Sequence, residues 1–212
     1  MGKRSLFYRW ANIYKAGLKL IPGKKFDEKY HYIVNEIGKA DSILEPACGP
    51  ALIPNYLKNG CKYKGFDINE RFIKHAQKKG IDVWVGNALN PETYLESDVV
   101  VLCDAIHHIG ISHEKQVVEY SLNSAKHKLI ICEPFKDNYI SMFPNLIPGG
   151  KRFLEWWFNY IEKDGSNKVK LDDFKSKKEL KEMMMEGYGI IPKETKKDFC
   201  EIGENIIVSY HL

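Results

Sequence analysis

A turn of small residues and a carboxylate on the next strand could together hold a nucleoside. The turn is Glu45-Pro46-Ala47-Cys48-Gly49-Pro50-Ala51, and Asp67 follows Gly49 by eighteen residues. Small residues let the backbone approach a ligand closely, and a carboxylate can accept two hydrogen bonds from a ribose diol. In an open parallel sheet, ligands bind outside the carboxyl ends of the strands. We therefore predict a nucleoside-cofactor site at this turn.

Local patterns predict the elements that must position these residues. Residues 42–44 and 63–66 are predicted strands, and residues 51–57 and 71–77 are predicted helices. Strand and helix patterns continue to alternate as far as residue 133. This alternation predicts an α/β fold built on a doubly wound parallel sheet, with the turn and Asp67 at the strand ends.

Five segments resemble, in the same order, the motifs of class I S-adenosylmethionine (SAM)-dependent methyltransferases: residues 45–51, 65–69, 86–88, 98–109 and 129–134. They cover about residues 41–135. Ala47 and Ala51 replace two of the family's three glycines, and Asn87 replaces the usual carboxylate. The resemblance implies a Rossmann-like methyltransferase fold: a mostly parallel seven-stranded sheet with an antiparallel C-terminal hairpin. That hairpin would comprise residues 190–191 and 206–210, after a last helix within residues 174–189.

SAM is the cofactor that the resemblance implies. A dinucleotide is less suitable, because its fingerprint needs three glycines and only Gly49 is present. In the SAM interpretation, Glu45 either anchors the backbone turn or reaches the methionine ammonium through a water. Asp67 binds the ribose, Ile68 lies against the adenine and Asn87 holds its edge. The complete set of expected cofactor-binding residues is Glu45, Ala47, Cys48, Gly49, Asp67, Ile68, Asn87, Ala88, Asp104 and Ala105. Asn69 is predicted to cap the next helix.

Two histidines after the fourth strand are candidate catalytic residues. His108 and His107 follow the strand end where the methyl donor should lie, and a histidine there could act as a general base. In the resembling families this pair is largely a structural or cofactor-shaping element, which is the role we favour, and the base remains the alternative. Asp104, Asp137 and Asn138 resemble the oxygen ligands of metal-dependent methyltransferases, but Glu133-Pro134 shifts the last two along the chain. We therefore predict no metal.

Two aromatic regions are expected to cover the acceptor. Residues 1–40 form a predicted N-terminal helical arm, which precedes a methyltransferase domain of residues 41–212. Residues 136–165 are an aromatic insertion after the fifth strand. Trp10, Tyr14, Trp156 and Trp157 are the candidate substrate residues. The arm's basic amphipathic pattern also permits contact with a membrane surface, which we do not favour over packing above the pocket.

Composition limits the remaining alternatives. The chain has 212 residues, a net charge of +4 and five cysteines without Cys-x-x-Cys spacing, which favours a reducing, cytoplasmic compartment. This mildly basic balance makes nucleic acid an unlikely partner. We predict methyl transfer to a small acceptor that is apolar, aromatic or lipid-like. The alternatives are an RNA methyltransferase and a non-catalytic SAM-binding protein; the oligomeric state is not predicted.

Overall fold

Seven strands form one sheet in the order β3-β2-β1-β4-β5-β7-β6. The computed structural model describes residues 24–57, 60–135 and 175–212. The helices are α1 (Lys24–Ile37), α2 (Glu70–Gln77), α3 (Glu114–Ser124) and α4 (Lys177–Met185). The strands are β1 (Ser42–Pro46), β2 (Lys62–Asp67), β3 (Val83–Val85), β4 (Ser97–Cys103), β5 (Ala125–Pro134), β6 (Lys196–Ile202) and β7 (Asn205–His211).

The sheet is parallel except at β7, which pairs antiparallel with both β5 and β6. The predicted α/β class, the doubly wound sheet and the antiparallel C-terminal hairpin are therefore confirmed. The strand order reverses between β1 and β4, and ligands bind at this kind of crevice, outside the carboxyl ends of the strands. The sequence places the candidate turn directly after β1, so the fold brings it to that crevice.

Both faces of the sheet are covered, which explains why the central strands are apolar without alternation. On one face, α1 packs Phe26, Tyr30, Ile33 and Ile37 against β1, β4 and β5. On the other face, α3 and α4 contribute Val117, Val118, Leu180 and Met184 to a second cluster. Among the described residues, no helix combines the length and the apolar character needed to cross a bilayer.

Two predicted elements are wrong. Residues 51–57 form only a short 3-10 turn, Ile53–Asn55; the φ of +52° at Ala51 excludes that residue from a right-handed helix. Residues 190–191 are not a strand; Ile191 is buried beside Gly187 at the end of another 3-10 turn. The partner of β7 is instead β6, a half-exposed edge strand that lacks an apolar run.

Candidate functional site

The turn after β1 has left-handed backbone at every second residue. Ala47 and Gly49 have φ values of +53°, and Ala51 has +52°. These are the three positions at which the resembling family has glycine. An L-residue with a side chain costs roughly 1–2 kcal/mol in this conformation, so the two alanines keep the glycine-rich geometry at an energetic cost. The turn is fixed to β2 by a hydrogen bond of 2.9 Å from Cys48 N to Phe66 O.

Asp67 lies where the sequence predicted, at the end of β2 and against this turn. Its Oδ2 accepts a hydrogen bond from Gly49 N at 2.8 Å, and its Oδ1 accepts one from Asn69 N at 2.7 Å. Each carboxylate oxygen has two lone pairs, which are the acceptors that a ribose diol would use. Asn69 caps α2 by accepting from Arg71 N at 3.1 Å, which confirms its predicted role.

Two glycines show how the space around the turn is divided. A Cβ at Gly65 would lie 3.1 Å from the Cys48 side chain, so this glycine lets β2 pack closely under the turn. A Cβ at Gly49 would have no described heavy atom within 4 Å. The turn is thus packed on its inner side and open on its outer side, which fits a ligand against the backbone of Gly49.

An exposed apolar surface lies beside Asp67. Ile68 is 56% exposed and Val85, at the end of β3, is 52% exposed. Val85 pairs in register with Asp67, so both apolar side chains are close to the candidate ribose ligand. Asn87 is exposed, and its Oδ1 accepts from Leu89 N at 3.0 Å, which leaves the amide nitrogen as the donor towards a ligand. This surface suits the flat face and polar edge of an adenine.

Glu45 is a buried carboxyl at the end of β1. It is 4% exposed and accepts a hydrogen bond from the Tyr63 hydroxyl. Burial raises the pKa of Glu45 to about 8, although the hydrogen bond from Tyr63 opposes this; Asp104 and Asp67 raise it further, and Lys29 lowers it. Glu45 is therefore largely protonated at neutral pH, and a cation bound nearby would favour its ionised form.

Asp104 follows β4 directly and forms a partly buried ion pair with Lys29 of α1. Its Oδ2 lies 2.5 Å from Lys29 Nζ, and Lys29 is only 5% exposed. Asp104 has a φ of +53°, and its N–H donates to Cys132 O at 2.9 Å. Lys29 was not predicted from the sequence, although one signal was present: it lies three residues after Phe26, on the apolar stripe of α1.

Two thiols border the same strand ends. The Cys103 and Cys132 sulfurs and an Asp104 oxygen lie within 4.8 Å of one another. A hydrogen bond with Cys132, burial and the nearby Asp104 raise the pKa of the Cys103 thiol well above its ordinary value. Because metal ligation needs a thiolate, this environment disfavours it. Asp137 and Asn138, from the predicted oxygen set, lie outside the described residues.

Glu133 organises the loop after β4. It is 2% exposed, and its Oε1 accepts hydrogen bonds from Ala105 N at 2.7 Å and Ile106 N at 2.8 Å. Its Oε2 lies 2.7 Å from His107 Nδ1. If Nδ1 carries the proton, Nε2 of His107 carries the lone pair that a base needs. The sequence identifies Glu133 only as part of the fifth motif; the signal for its role is a carboxyl at the end of a buried strand.

His108 has a different environment from His107. Its Nδ1 is buried without a hydrogen-bond partner among the described residues. Burial, and then the neighbouring His107, lower the pKa of His108 well below its ordinary value. His108 therefore stays neutral at physiological pH. The two rings contact each other, with centroids 4.1 Å apart.

A pocket opens beside His107. Its volume is about 250 Å³ including the open solvent at its mouth. Its walls are about half apolar and half polar; the lining residues are Ile106, His107, Glu114, Glu133, Pro134, Lys175, Leu180, Met183 and Tyr188. The Tyr188 hydroxyl is buried without a partner among the described residues. The predicted substrate residues Trp10, Tyr14, Trp156 and Trp157 lie outside the described ranges.

Comparison with solved structures identifies the fold. The plantazolicin methyltransferase BpumL, solved with S-adenosylhomocysteine (SAH), is 13% identical, with a TM-score of 0.65 over 94% of this chain and 89% of that one. A SAM-dependent methyltransferase from Archaeoglobus fulgidus is 13% identical, with a TM-score of 0.62 over 94% and 99%. Human N-acetylserotonin methyltransferase, solved with SAM, is 12% identical, with a TM-score of 0.59 over 97% of this chain but only 57% of its own.

These likenesses show that the chain has the class I methyltransferase fold, as the motif order implied. No protein-family profile and no curated protein matches the sequence. At 12–13% identity the likeness extends to the fold alone. The chemistry therefore has to be argued from the residues at the strand ends.

Proposed function

We propose that this protein is a SAM-dependent methyltransferase that acts on a small acceptor, apolar, aromatic or lipid-like. The observation that carries the proposal is the turn after β1, where the three left-handed residues and the Gly49–Asp67 hydrogen bond coincide. Two alanines are kept in a conformation that favours glycine, which indicates that the shape of this turn is needed. The open space beside Gly49 supports a ligand at that position.

The cofactor residues follow from the chemistry of their side chains. Asp67 accepts hydrogen bonds from the ribose hydroxyls, and Ile68 and Val85 pack against the adenine. Glu45 and Asp104 provide negative charge towards the ammonium and the sulfonium. When bound, SAM supplies a methyl group that is already activated by the sulfonium. The protein's main tasks are then to align the acceptor and exclude water.

His107 is the best candidate for a base towards a hydroxyl acceptor. Its Nδ1 contact with Glu133 at 2.7 Å holds the ring and favours proton transfer at Nε2. The carboxylate would also stabilise the imidazolium that forms. His108 lacks such a partner among the described residues and remains neutral. The adjoining pocket, whose lining is about half apolar and half polar, supports a small acceptor that combines an apolar body with a polar group such as a hydroxyl.

Calorimetry with SAM and SAH tests the cofactor assignment. Asp67→Asn should weaken binding at least about tenfold, because charge-assisted hydrogen bonds to the ribose are lost. The matched control is Asp98→Asn: Asp98 also accepts from two backbone N–H groups, Asp41 at 2.9 Å and Ser42 at 3.1 Å, but at the start of β4. The control should bind both ligands normally.

Two outcomes would contradict this assignment. Wild-type protein that binds neither SAM nor SAH would refute the proposed function. Equal losses in the Asp67 and Asp98 variants would instead give Asp67 a purely structural role at the turn. Circular dichroism of each variant establishes that the comparison is made between folded proteins.

A further inference from the structure

The Lys29–Asp104 ion pair contains a buried cation with unused hydrogen-bonding capacity. An ammonium has three N–H donors, and within the described part of the chain Lys29 Nζ makes one hydrogen bond, to Asp104 Oδ2 at 2.5 Å. Lys29 is 5% exposed, so water has little access to the remaining donors. Burying a charge in this way is costly unless its partners are complete. Among the described residues, the remaining donors of Lys29 thus have no acceptor.

The position of Lys29 indicates which acceptor this would be. Asp104 follows β4 at the crevice where the strand order reverses, and Glu45 ends the neighbouring β1. Glu45, Asp67 and Asp104 interact electrostatically there, and Lys29 is the cation that acts on Glu45. Carboxyl groups suit an ammonium and a sulfonium, but they repel a carboxylate. The amino-acid end of SAM carries all three charges, so its carboxylate needs a cation at the same place.

Lys29 is also held in a defined orientation. Its Nζ lies 5.2 Å from the ring centroid of Tyr30 and 5.8 Å from that of Phe26. Burial by itself would lower the pKa of Lys29, but Asp104 and its other neighbours hold it well above the ordinary value. The side chain is thus positively charged and restricted before any ligand arrives, which reduces the entropy lost on binding.

We infer that Lys29 binds the carboxylate of the cofactor's methionine moiety, with Asp104 and the two rings holding the ammonium in place. This inference rests on the proposed function. It gives the cofactor site a contribution from α1, which lies before the first strand. It also explains why a lysine lies on the apolar stripe of that helix, since packing alone would favour an uncharged side chain there.

Decarboxylated SAM is the sharpest probe, because it lacks only the carboxylate. By calorimetry, wild-type protein should bind SAM at least about tenfold more tightly than decarboxylated SAM, the effect of a charge-assisted hydrogen bond. Lys29→Met should reduce this preference to near unity, and Lys29→Arg should retain part of it. Lys128→Met is the control, since Lys128 is a mostly buried lysine 3.7 Å from the Glu36 carboxylate, and it should keep the full preference.

The other possible outcomes separate a failure of the proposed function from a failure of the role of Lys29. A wild-type protein that binds neither ligand refutes the proposed function, whereas one that binds both equally overturns only the role of Lys29. A Lys29→Met protein that keeps the preference, or loses affinity for both ligands equally, also overturns it and leaves a structural ion pair. If Lys29→Met does not fold, Lys29→Met/Asp104→Asn removes both charges together, and the preference must still disappear.

Discussion

Single residues carry a measurable strain at the turn after β1. Ala47 has a φ of +53°, and the alanine Cβ is unfavourable in this region. Ala47→Gly should therefore raise the free energy of unfolding by about 1 kcal/mol. Urea denaturation measures the change. Ala76→Gly is the matched control: Ala76 lies buried in α2, where glycine should instead be destabilising. A less stable Ala47→Gly protein would contradict the strain argument.

The carboxyl of Glu45 should make stability depend on pH. Its pKa is about 8 in the folded protein, against an ordinary value of 4.5. A raised folded pKa means that the contribution to stability is complete below pH 4.5 and is lost as the pH rises through 8. Across this window, Glu45→Gln should lose less stability than wild type, because the amide has no proton to release. Urea denaturation at both ends of the window tests this.

An exposed carboxyl provides the control for that measurement. Glu119 lies on the solvent side of α3, and Glu119→Gln should leave the pH dependence of wild type unchanged. If Glu45→Gln shows the same slope as wild type, another group is responsible for the titration.

The sequence predicts residues that act through their own strand or loop. Asp67 and Asn69 are recognisable because a polar residue at a strand end or helix start has a local reason to be there. Lys29 and Glu133 are not recognisable in this way, since each meets its partner across a sequence separation of 75 or 26–28 residues. Their roles depend on which elements become neighbours in the fold, and a single sequence does not show which elements these are.

At the scale of elements, the loop between β4 and α3 depends on Glu133 for its shape and separates the roles of the two histidines. If His107 is the base, His107→Gln should reduce turnover about 100-fold while SAH binding is retained. His108→Gln should reduce turnover much less. SAH formation is measured with an acceptor found by screening small phenols and aliphatic alcohols.

The same series tests whether the protein is catalytic. Unchanged turnover in His107→Gln would exclude its role as a base and leave alignment of the acceptor as the main contribution. Binding of SAH without turnover on any acceptor would favour the non-catalytic alternative. Loss of SAH binding in His107→Gln would show that the loop, rather than the base, had been disturbed.

Elements are predictable from the sequence where one local signal dominates. The apolar strands β1, β2, β4 and β5 and the amphipathic helix α2 agree with their patterns. The failures at residues 51–57 and 190–191 arise because backbone conformation and burial override apolar composition. Ala51 has a left-handed backbone where its residue type would favour a helix, and Ile191 is buried in the core, with Ile190 partly buried beside it, instead of pairing with a strand.

At the scale of the whole molecule, the order of motifs was sufficient to predict the sheet, because the class I pattern fixes which strands are parallel and where the order reverses. The proposed acceptor site is less predictable from the sequence than the sheet. The pocket proposed for the acceptor combines the loop after β4 with Glu114, Lys175 and Tyr188, which the fold brings together from distant parts of the chain. Because these residues share no periodic pattern, the sequence does not indicate that they line one pocket.

The position of β7 has a consequence for how the chain reaches this structure. Of the strands described, β7 is the last along the chain, yet it lies between β5 and β6. Until residues 205–211 are in place, the apolar strand β5 has an open edge that can pair with another molecule. A nascent chain is therefore exposed to aggregation until β7 inserts. Protein lacking residues 205–212 should scatter light strongly on refolding, whereas the full chain should remain clear.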